Sequence, residues 1–221
     1  MTFAVLLCTI FIFVFCWVNS HLRKPDTQNK LNPLIVAMTN AMLTQPNNTH
    51  ATIHRLTAVT EAQLEALADV LIDCVEGGAS VSFMLPLARE KALAFWRDVA
   101  AGVARGERAL MVTQDGTGRI VGTVQLILSQ PDNQPHRADL AKMLVHRRAR
   151  RQGLGDALMQ AAESVARECG KTLLVLDTAS LEAERLYARN GWTRLGVIPG
   201  YALLPQGGLC DTTYFFKPLE R

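Results

Sequence analysis

The chain has 221 residues, 49% of them apolar, which suits one domain of ordinary size with a sizeable core plus a short extension and excludes a disordered chain. Its net charge is +3, but residues 1–52 hold Arg23, Lys24 and Lys30 against Asp26 alone, leaving 20 basic and 19 acidic groups in the rest. So even a balance offers no basic face for nucleic acid. The five cysteines, Cys8, Cys16, Cys74, Cys169 and Cys210, are odd in number and show no CxxC spacing. Cys8 and Cys16 lie in an N-terminal apolar run; the other three are far apart and fit free thiols in a reducing compartment, and no His and Cys stand at zinc-ligand spacing.

The chain opens on an apolar run, Phe3 to Val18, spanning roughly 24 Å as a helix, just short of a ~30 Å hydrocarbon core. No basic residue precedes it and no small-residue cleavage site follows, which disfavours a cleaved signal peptide. Two readings stay open for residues 1–20. One is a short membrane anchor, with Arg23 and Lys24 setting the C-terminal side as cytoplasmic. The other is a later translation start, at Met38 or Met42. Residues 21–52, rich in Asn, Gln, Thr and Pro, read as a linker, and residues 53–221 as the globular domain.

Within the domain, Ile53–Val59 alternates as a strand. Thr60 caps a helix, with Gln63 completing a capping box, and Gly77-Gly78 ends it. Gly78–Pro86 is a loop. A second amphipathic helix covers Leu87–Arg105, with Ala92, Phe95, Trp96, Val99 and Val103 on its inner face. The period then falls to two. Ala109–Gln114, the turn Asp115–Gly118 and Ile120–Leu128 form a hairpin, and Asp139–Val145 is a further strand. A helix over Gly155–Cys169, a buried strand over Lys171–Asp177 and a helix over Leu181–Asn190 follow. Strands near Thr193–Ile198 and Thr212–Lys217 close the chain. The order β-α-α-β-β-β-α-β-α-β-β predicts an α/β fold, a mixed sheet covered by helices on both faces.

The sharpest chemical signal is Arg150-Arg151-Gln152-Gly153-Leu154-Gly155, between a strand and a helix. At a helix N-terminus the first N–H groups lack internal partners and the helix dipole adds partial positive charge, a fitting site for a pyrophosphate. Gly153 and Gly155 allow close backbone approach, and Arg147, Arg148, Arg150 and Arg151 add attraction for a polyanion. A solvated basic helix cap is the plain alternative. A Rossmann site would need G-x-G-x-x-G and a later acid, and a Walker loop would need Gly-Lys-Ser/Thr. Neither occurs.

This segment resembles the Q/R-x-x-G-x-G/A acetyl-CoA signature of GNAT N-acetyltransferases. Glu184-Arg185-Leu186-Tyr187-Ala188-Arg189-Asn190-Gly191-Trp192, about thirty residues on, is similar to the family's final helix with its Tyr and Gly-aromatic ending. The resemblance covers roughly Ile53 to Leu219. Within the superfamily, Gly77-Gly78-Ala79-Ser80-Val81 and Gly200-Tyr201-Ala202 resemble the tabtoxin-resistance acetyltransferase group.

The resemblance implies a mostly antiparallel central sheet with splayed middle strands, and direct transfer of acetyl from acetyl-CoA, with no metal. Pantetheine would pair with the bulged backbone of Met143, Leu144 and Val145. Arg150 through Gly155, with Asp156, would hold the pyrophosphate. Ser180 is the nearest substitute for a pantetheine-binding Asn that this loop lacks. Tyr187 would be the general acid that protonates the CoA thiolate, a phenol being protonated at neutral pH; a core tyrosine is the alternative. Two carboxylates are candidates for accepting the amine's proton: Asp139, at the opening of the central strand, and Asp177, at the end of the next. Ser80, Phe83, Trp96 and Tyr201 are candidates for the acceptor pocket, with plain packing the alternative for Phe83 and Trp96. His54, His136 and His146 are expected at the surface.

The acceptor expected is a primary amine on a small molecule, a small amine or an amino-acid-like one. A protein N-terminus or lysine, and an acyl-CoA-binding sensor without turnover, are the competing readings. The domain would be cytoplasmic, or tethered at the cytoplasmic membrane face through residues 3–18. Monomer and homodimer both stay open.

Overall fold

The computed structural model of the chain describes residues 52–220. The apolar run at residues 3–18 and the linker up to residue 51 lie outside the described residues. Among those described, no helix is long and apolar enough to cross a membrane.

The elements run β1 (Ile53–Leu56), α1 (Glu61–Glu76), α2 (Arg89–Ala104), β2 (Arg108–Gln114), β3 (Ile120–Ile127), β4 (Arg137–Val145), α3 (Leu154–Glu168), β5 (Leu173–Thr178), α4 (Leu181–Arg189), β6 (Thr193–Leu203) and β7 (Leu209–Pro218). They build one seven-stranded sheet of order β1-β2-β3-β4-β5-β7-β6. Every pairing is antiparallel except β4 with β5. This is the expected mixed sheet.

Local chemistry sets the boundaries. The Thr60 side chain accepts from the Gln63 N–H while the Gln63 side chain accepts from the Thr60 N–H, closing the capping box at the start of α1. β1 is shorter than its alternation suggests and stops at Leu56. β4 starts at Arg137, two residues before Asp139, so that carboxylate lies inside the strand. β6 runs on past Pro199-Gly200, which a sequence reading takes as a stop. The register of β6 on β7 shifts between Ile198 and Ala202, so the pair is absorbed as an irregularity.

Alternation along β2 divides the core. Leu110 and Val112 join Leu67, Leu71, Trp96 and Val99 beneath α1 and α2. Ala109 and Met111 join Leu158, Met159, Leu174, Tyr187, Trp192 and Phe215 on the α3 and α4 face. Burying such side chains contributes roughly 1.5–3 kcal/mol each.

One charged group is buried within the second face. Glu163 of α3 accepts hydrogen bonds from Trp192 Nε1 at 3.3 Å and Lys217 Nζ at 2.7 Å, and Lys217 also donates to the Asn190 carbonyl at 2.6 Å. The cluster ties α3 to β7 and to the turn after α4. Glu163→Ala leaves the Lys217 ammonium desolvated beside one carbonyl, and should destabilise the full chain by roughly 3 kcal/mol in urea unfolding. Lys217→Met in the same background should recover part of that. A loss under about 1 kcal/mol would mark the cluster as a solvent-screened pair.

Candidate active site

The site begins with a surplus residue. β3 and β4 pair Thr123 with Leu144 but Gln125 with Ala141, so β4 carries one residue more than β3 over that stretch. Lys142 takes the left-handed backbone, with φ +50°. The bulge reverses the strand's facing: Leu140 packs with the α3 side of the core, and Leu144 with the α1 and α2 side. β4 and β5 are joined only where Arg137–Asp139 meets Leu173–Val175. Beyond those pairs the strands part, while β5 stays bonded to β7 through Thr178. Met143, Leu144 and Val145 therefore border a V-shaped opening in the sheet. Arg150 Nε donates to the Val145 carbonyl at 3.1 Å, and Cys74 Sγ lies 3.6 Å from the same oxygen. Burial pushes the Cys74 thiol up, the largest influence on it, against the lowering effect of Arg150.

Past β4 a short turn, Arg147–Ala149, leads to the glycine segment. Gly153 is the N-cap of α3, with φ +76°, and offers no side chain to the helix's first N–H groups. Gly155 is pinched: a Cβ there would meet Leu186 Cδ2 at 3.2 Å and Met143 Cε at 3.6 Å. The missing side chain thus brings α3 against both α4 and the bulge. Asp156 is occupied, by Asn190 Nδ2 at 2.8 Å and Arg189 at 3.4 Å.

The four arginines divide. Arg147 pairs with Asp73 at 2.9 Å and Glu76 at 3.5 Å, and Arg148 pairs with Asp115 at 3.3 Å. Arg150 turns in toward Val145. Arg151 is exposed, at φ +61°, with no ion pair among the described residues. Gln152 is exposed beside it and Leu154 is buried. His146 is half-buried rather than at the surface, with Nδ1 3.3 Å from Asp73; desolvation outweighs that carboxylate and lowers its pKa.

At α4, Ser180 is the N-cap: its hydroxyl accepts from the Ala183 N–H at 3.3 Å and contacts Glu182 at 3.1 Å. Tyr187 is buried, its ring 5.6 Å from Phe215 and 6.0 Å from Trp192. Burial, then the charge of Asp177, push its phenol well above the ordinary tyrosine range.

On the opposite face lies a cavity of about 250 Å³. The loop between α1 and α2 supplies Ser80, Ser82, Phe83 and Met84, the end of β5 supplies Asp177, and the β6–β7 hairpin supplies Tyr201 and Thr212. Two bonds clasp loop to hairpin: Ser80 Oγ to the Leu203 carbonyl at 3.1 Å, and the Leu85 N–H to the Pro205 carbonyl at 2.9 Å. Asp177 accepts from Thr212 Oγ1 at 2.9 Å. Across from it Tyr214 bonds the Tyr201 hydroxyl at 3.0 Å, and its phenol is pushed up to about 12, first by that bond.

The expected acceptor residues separate accordingly. Ser80, Phe83 and Tyr201 line the cavity with Asp177. Trp96 does not: it is wholly buried in the core beneath α2. Asp139 stands outside the lining too, its carboxylate held by Arg137 and by Gln130 Nε2 at 3.1 Å. Sequence reasoning passed over Thr212, Ser82 and Lys142. The first two carry no distinctive signal. Lys142 does carry one, since strict alternation in β4 would put it on the inward side with Leu140 and Leu144.

The profile of the Acetyltransferase (GNAT) family matches residues 79–192. An N-acetyltransferase of Azospirillum brasilense, described as uncharacterized and encoded between hisH and hisA, is 33% identical over 132 residues, covering 58% of this chain and 76% of that protein. The chain therefore belongs to the GNAT family of acetyltransferases. Solved structures share the fold. yncA of Salmonella typhimurium, with its cofactor acetyl-CoA, superposes with a TM-score of 0.64 at 20% identity, over 77% of this chain and 95% of that one. The phosphinothricin acetyltransferase of Sinorhizobium meliloti, in complex with acetyl-CoA, gives 0.64 at 16%, over 76% and 88%. A ribosomal-protein-alanine N-acetyltransferase of Brucella melitensis gives 0.63 at 22%, over 76% and 99%.

The burial of Tyr187 has a direct spectroscopic consequence. Desolvation disfavours the phenolate, so its pKa moves up. In an ultraviolet titration of wild type against Tyr187→Phe, the folded protein should show no ionisation from Tyr187 at pH about 10, where an ordinary phenol is half ionised. A difference signal appearing there would mean that the hydroxyl is open to water.

Proposed function

We propose that this chain is an acetyl-CoA-dependent N-acetyltransferase acting on a primary amine of a small molecule, by direct attack in a ternary complex, with residues 53–221 as its catalytic domain. One observation carries the reading. The parted strands β4 and β5 lead from an uncapped helix N-terminus at Gly153 toward a cavity that holds a carboxylate, Asp177.

The backbone N–H groups from Gly153 to Asp156, with Arg151 nearby, suit a pyrophosphate. Pantetheine lies along Met143, Leu144 and Val145, completing the hydrogen bonds that β5 leaves open. Ser180, already committed to its helix, offers at most its hydroxyl. The amine nitrogen attacks the thioester carbonyl, a C–N bond forms and the C–S bond breaks. The departing thiolate takes the Tyr187 proton, and the ammonium gives its own to Asp177, directly or through water. Asp177 suits that role better than Asp139, whose carboxylate is occupied. The narrower likeness to the tabtoxin-resistance group belongs to the same reading. Its two segments, Gly77–Val81 and Gly200–Ala202, supply Ser80, Tyr201 and Ala202 to the cavity lining, and Ser80 bonds the carbonyl of Leu203 just past the second.

Calorimetric titration of acetyl-CoA into the full chain should give micromolar binding, abolished by Gly153→Glu, which sets a carboxylate where the phosphates belong. Tyr187→Phe should keep the Kd while cutting kcat by about 100-fold or more, the usual worth of a positioned acid. A folded wild type that binds no acetyl-CoA would reduce the glycine segment to a basic helix cap, and unchanged turnover in Tyr187→Phe would remove the acid role.

A further inference from the structure

Lys142 is a cation in an unusual place. It occupies the left-handed position of the β4 bulge, which swings its side chain off the α3 face and beneath the loop between α1 and α2. There Nζ donates to Ser82 Oγ at 3.2 Å and lies 5.5 Å from the centre of the Phe95 ring. Among the described residues no carboxylate comes within ion-pair distance. Desolvation, the largest influence on it, lowers its pKa, while Asp177 is near enough to act the other way. An ammonium can donate three hydrogen bonds, and Ser82 accounts for one. A desolvated charge without a counter-ion is costly, and such groups beside a cleft mark functional positions. Ser82 itself lines the cavity, and so does Asp177. A carboxylate thus borders the cavity directly, and an ammonium with unused donors stands behind its lining, one hydrogen bond from Ser82.

We infer that these two poles select a zwitterionic acceptor: Asp177 receives the amine, while Lys142, with Ser82, holds an oxyanion of the same molecule, a carboxylate foremost. The inference rests on the acetyl-transfer reading and narrows its substrate to amino acids and like-charged amines. Lys142 binds substrate and takes no part in proton transfer. The bulge explains how a lysine comes to stand there, because a regular strand would direct it into the apolar core shared with Leu140.

The test is a substrate panel run with the full chain and acetyl-CoA. Leucine, phenylalanine and methionine are each compared with the amine lacking the α-carboxylate, following CoA release. Wild type should prefer a carboxylate-bearing member. Lys142→Met should raise KM for it by about 10- to 100-fold, the worth of one charge-assisted hydrogen bond, with kcat and the KM of the decarboxylated partner little changed. Lys142→Arg should retain most of the preference. Melting temperature and acetyl-CoA affinity confirm that Lys142→Met is folded. If no carboxylate-bearing amine is acetylated, or wild type favours the decarboxylated members, the inference falls. It falls also if Lys142→Met lowers kcat for every amine at constant KM, which would make the lysine a proton carrier or a prop. In each case acetyl-CoA binding by wild type would leave the broader acetyltransferase reading standing, whereas a folded chain that binds none would remove both.

Discussion

The parting of β4 from β5 is the constraint on which the rest of the site depends. Elsewhere the sheet is closed by antiparallel ladders, which satisfy the backbone on both sides of each inner strand. Here two parallel strands share three residue pairs and then diverge, so half the backbone of β4 from Leu140 onward has no strand beside it. Buried peptide groups need partners. A fold can tolerate such an edge only if water or an extended ligand lies along it. The bulge at Lys142 sharpens the opening, since an extra residue bends and twists its strand. What stands on either side is then set by which way each residue of β4 faces, and the bulge changes that facing between Leu140 and Leu144.

Close packing converts this opening into a coupled site. Gly155 has no side chain, and Leu186 and Met143 fill the space that one would take. The start of α3, the bulge and α4 are thereby held at contact distance, and Tyr187 follows Leu186 in the chain. Under the proposed function, a ligand phosphate at the helix start and a thiol near Tyr187 would be linked through that packing. At the helix start the backbone N–H groups stand beside Arg151, an arginine without an ion pair among the described residues. Arg147 and Arg148 are engaged with Asp73, Glu76 and Asp115, and Arg150 with a carbonyl. Their net charge still adds to the field, but the directed donors are peptide N–H groups, which cost no side-chain entropy to hold in place.

Local signals in the sequence were legible where one interaction decides the outcome. The capping box at Thr60 and the shift from a period of 3.6 to a period of two fall where the residues put them, and the glycine segment does open α3, one residue ahead of the expected Gly155. Signals that depend on how neighbouring segments fold against one another were not. Asp139 has the chemistry of a base, but Arg137 and Gln130 sit beside it only once the strand and the preceding loop are folded. Trp96 looks like a pocket residue until α1 and β2 cover it. Pro199-Gly200 reads as a strand end because the ladder supplied by β7, which carries β6 past it, is invisible locally. Lys142 is the instructive case. Strict alternation would set its ammonium beside Leu140 and Leu144 among apolar side chains, a conflict that the bulge resolves.

The two faces of the sheet also carry different chemistry. Tyr187 belongs to the α3 and α4 face, among Trp192 and Phe215, where burial keeps a phenol protonated. Asp177, Tyr214 and Lys142 belong to the face under the loop between α1 and α2, where the cavity lies. A group that must donate a proton and a group that must accept one are best kept in unlike surroundings, because one environment cannot hold both in the required states. An intact sheet would isolate them. The opening between β4 and β5 is where the two environments adjoin, and Asp177, at the free end of β5, acts electrostatically on Tyr187, Tyr214 and Lys142. Under the proposed reaction, donor and acceptor would approach from opposite faces and meet within the opening, which favours direct transfer over a covalent relay: neither face would need a nucleophile of its own to carry the acetyl group across.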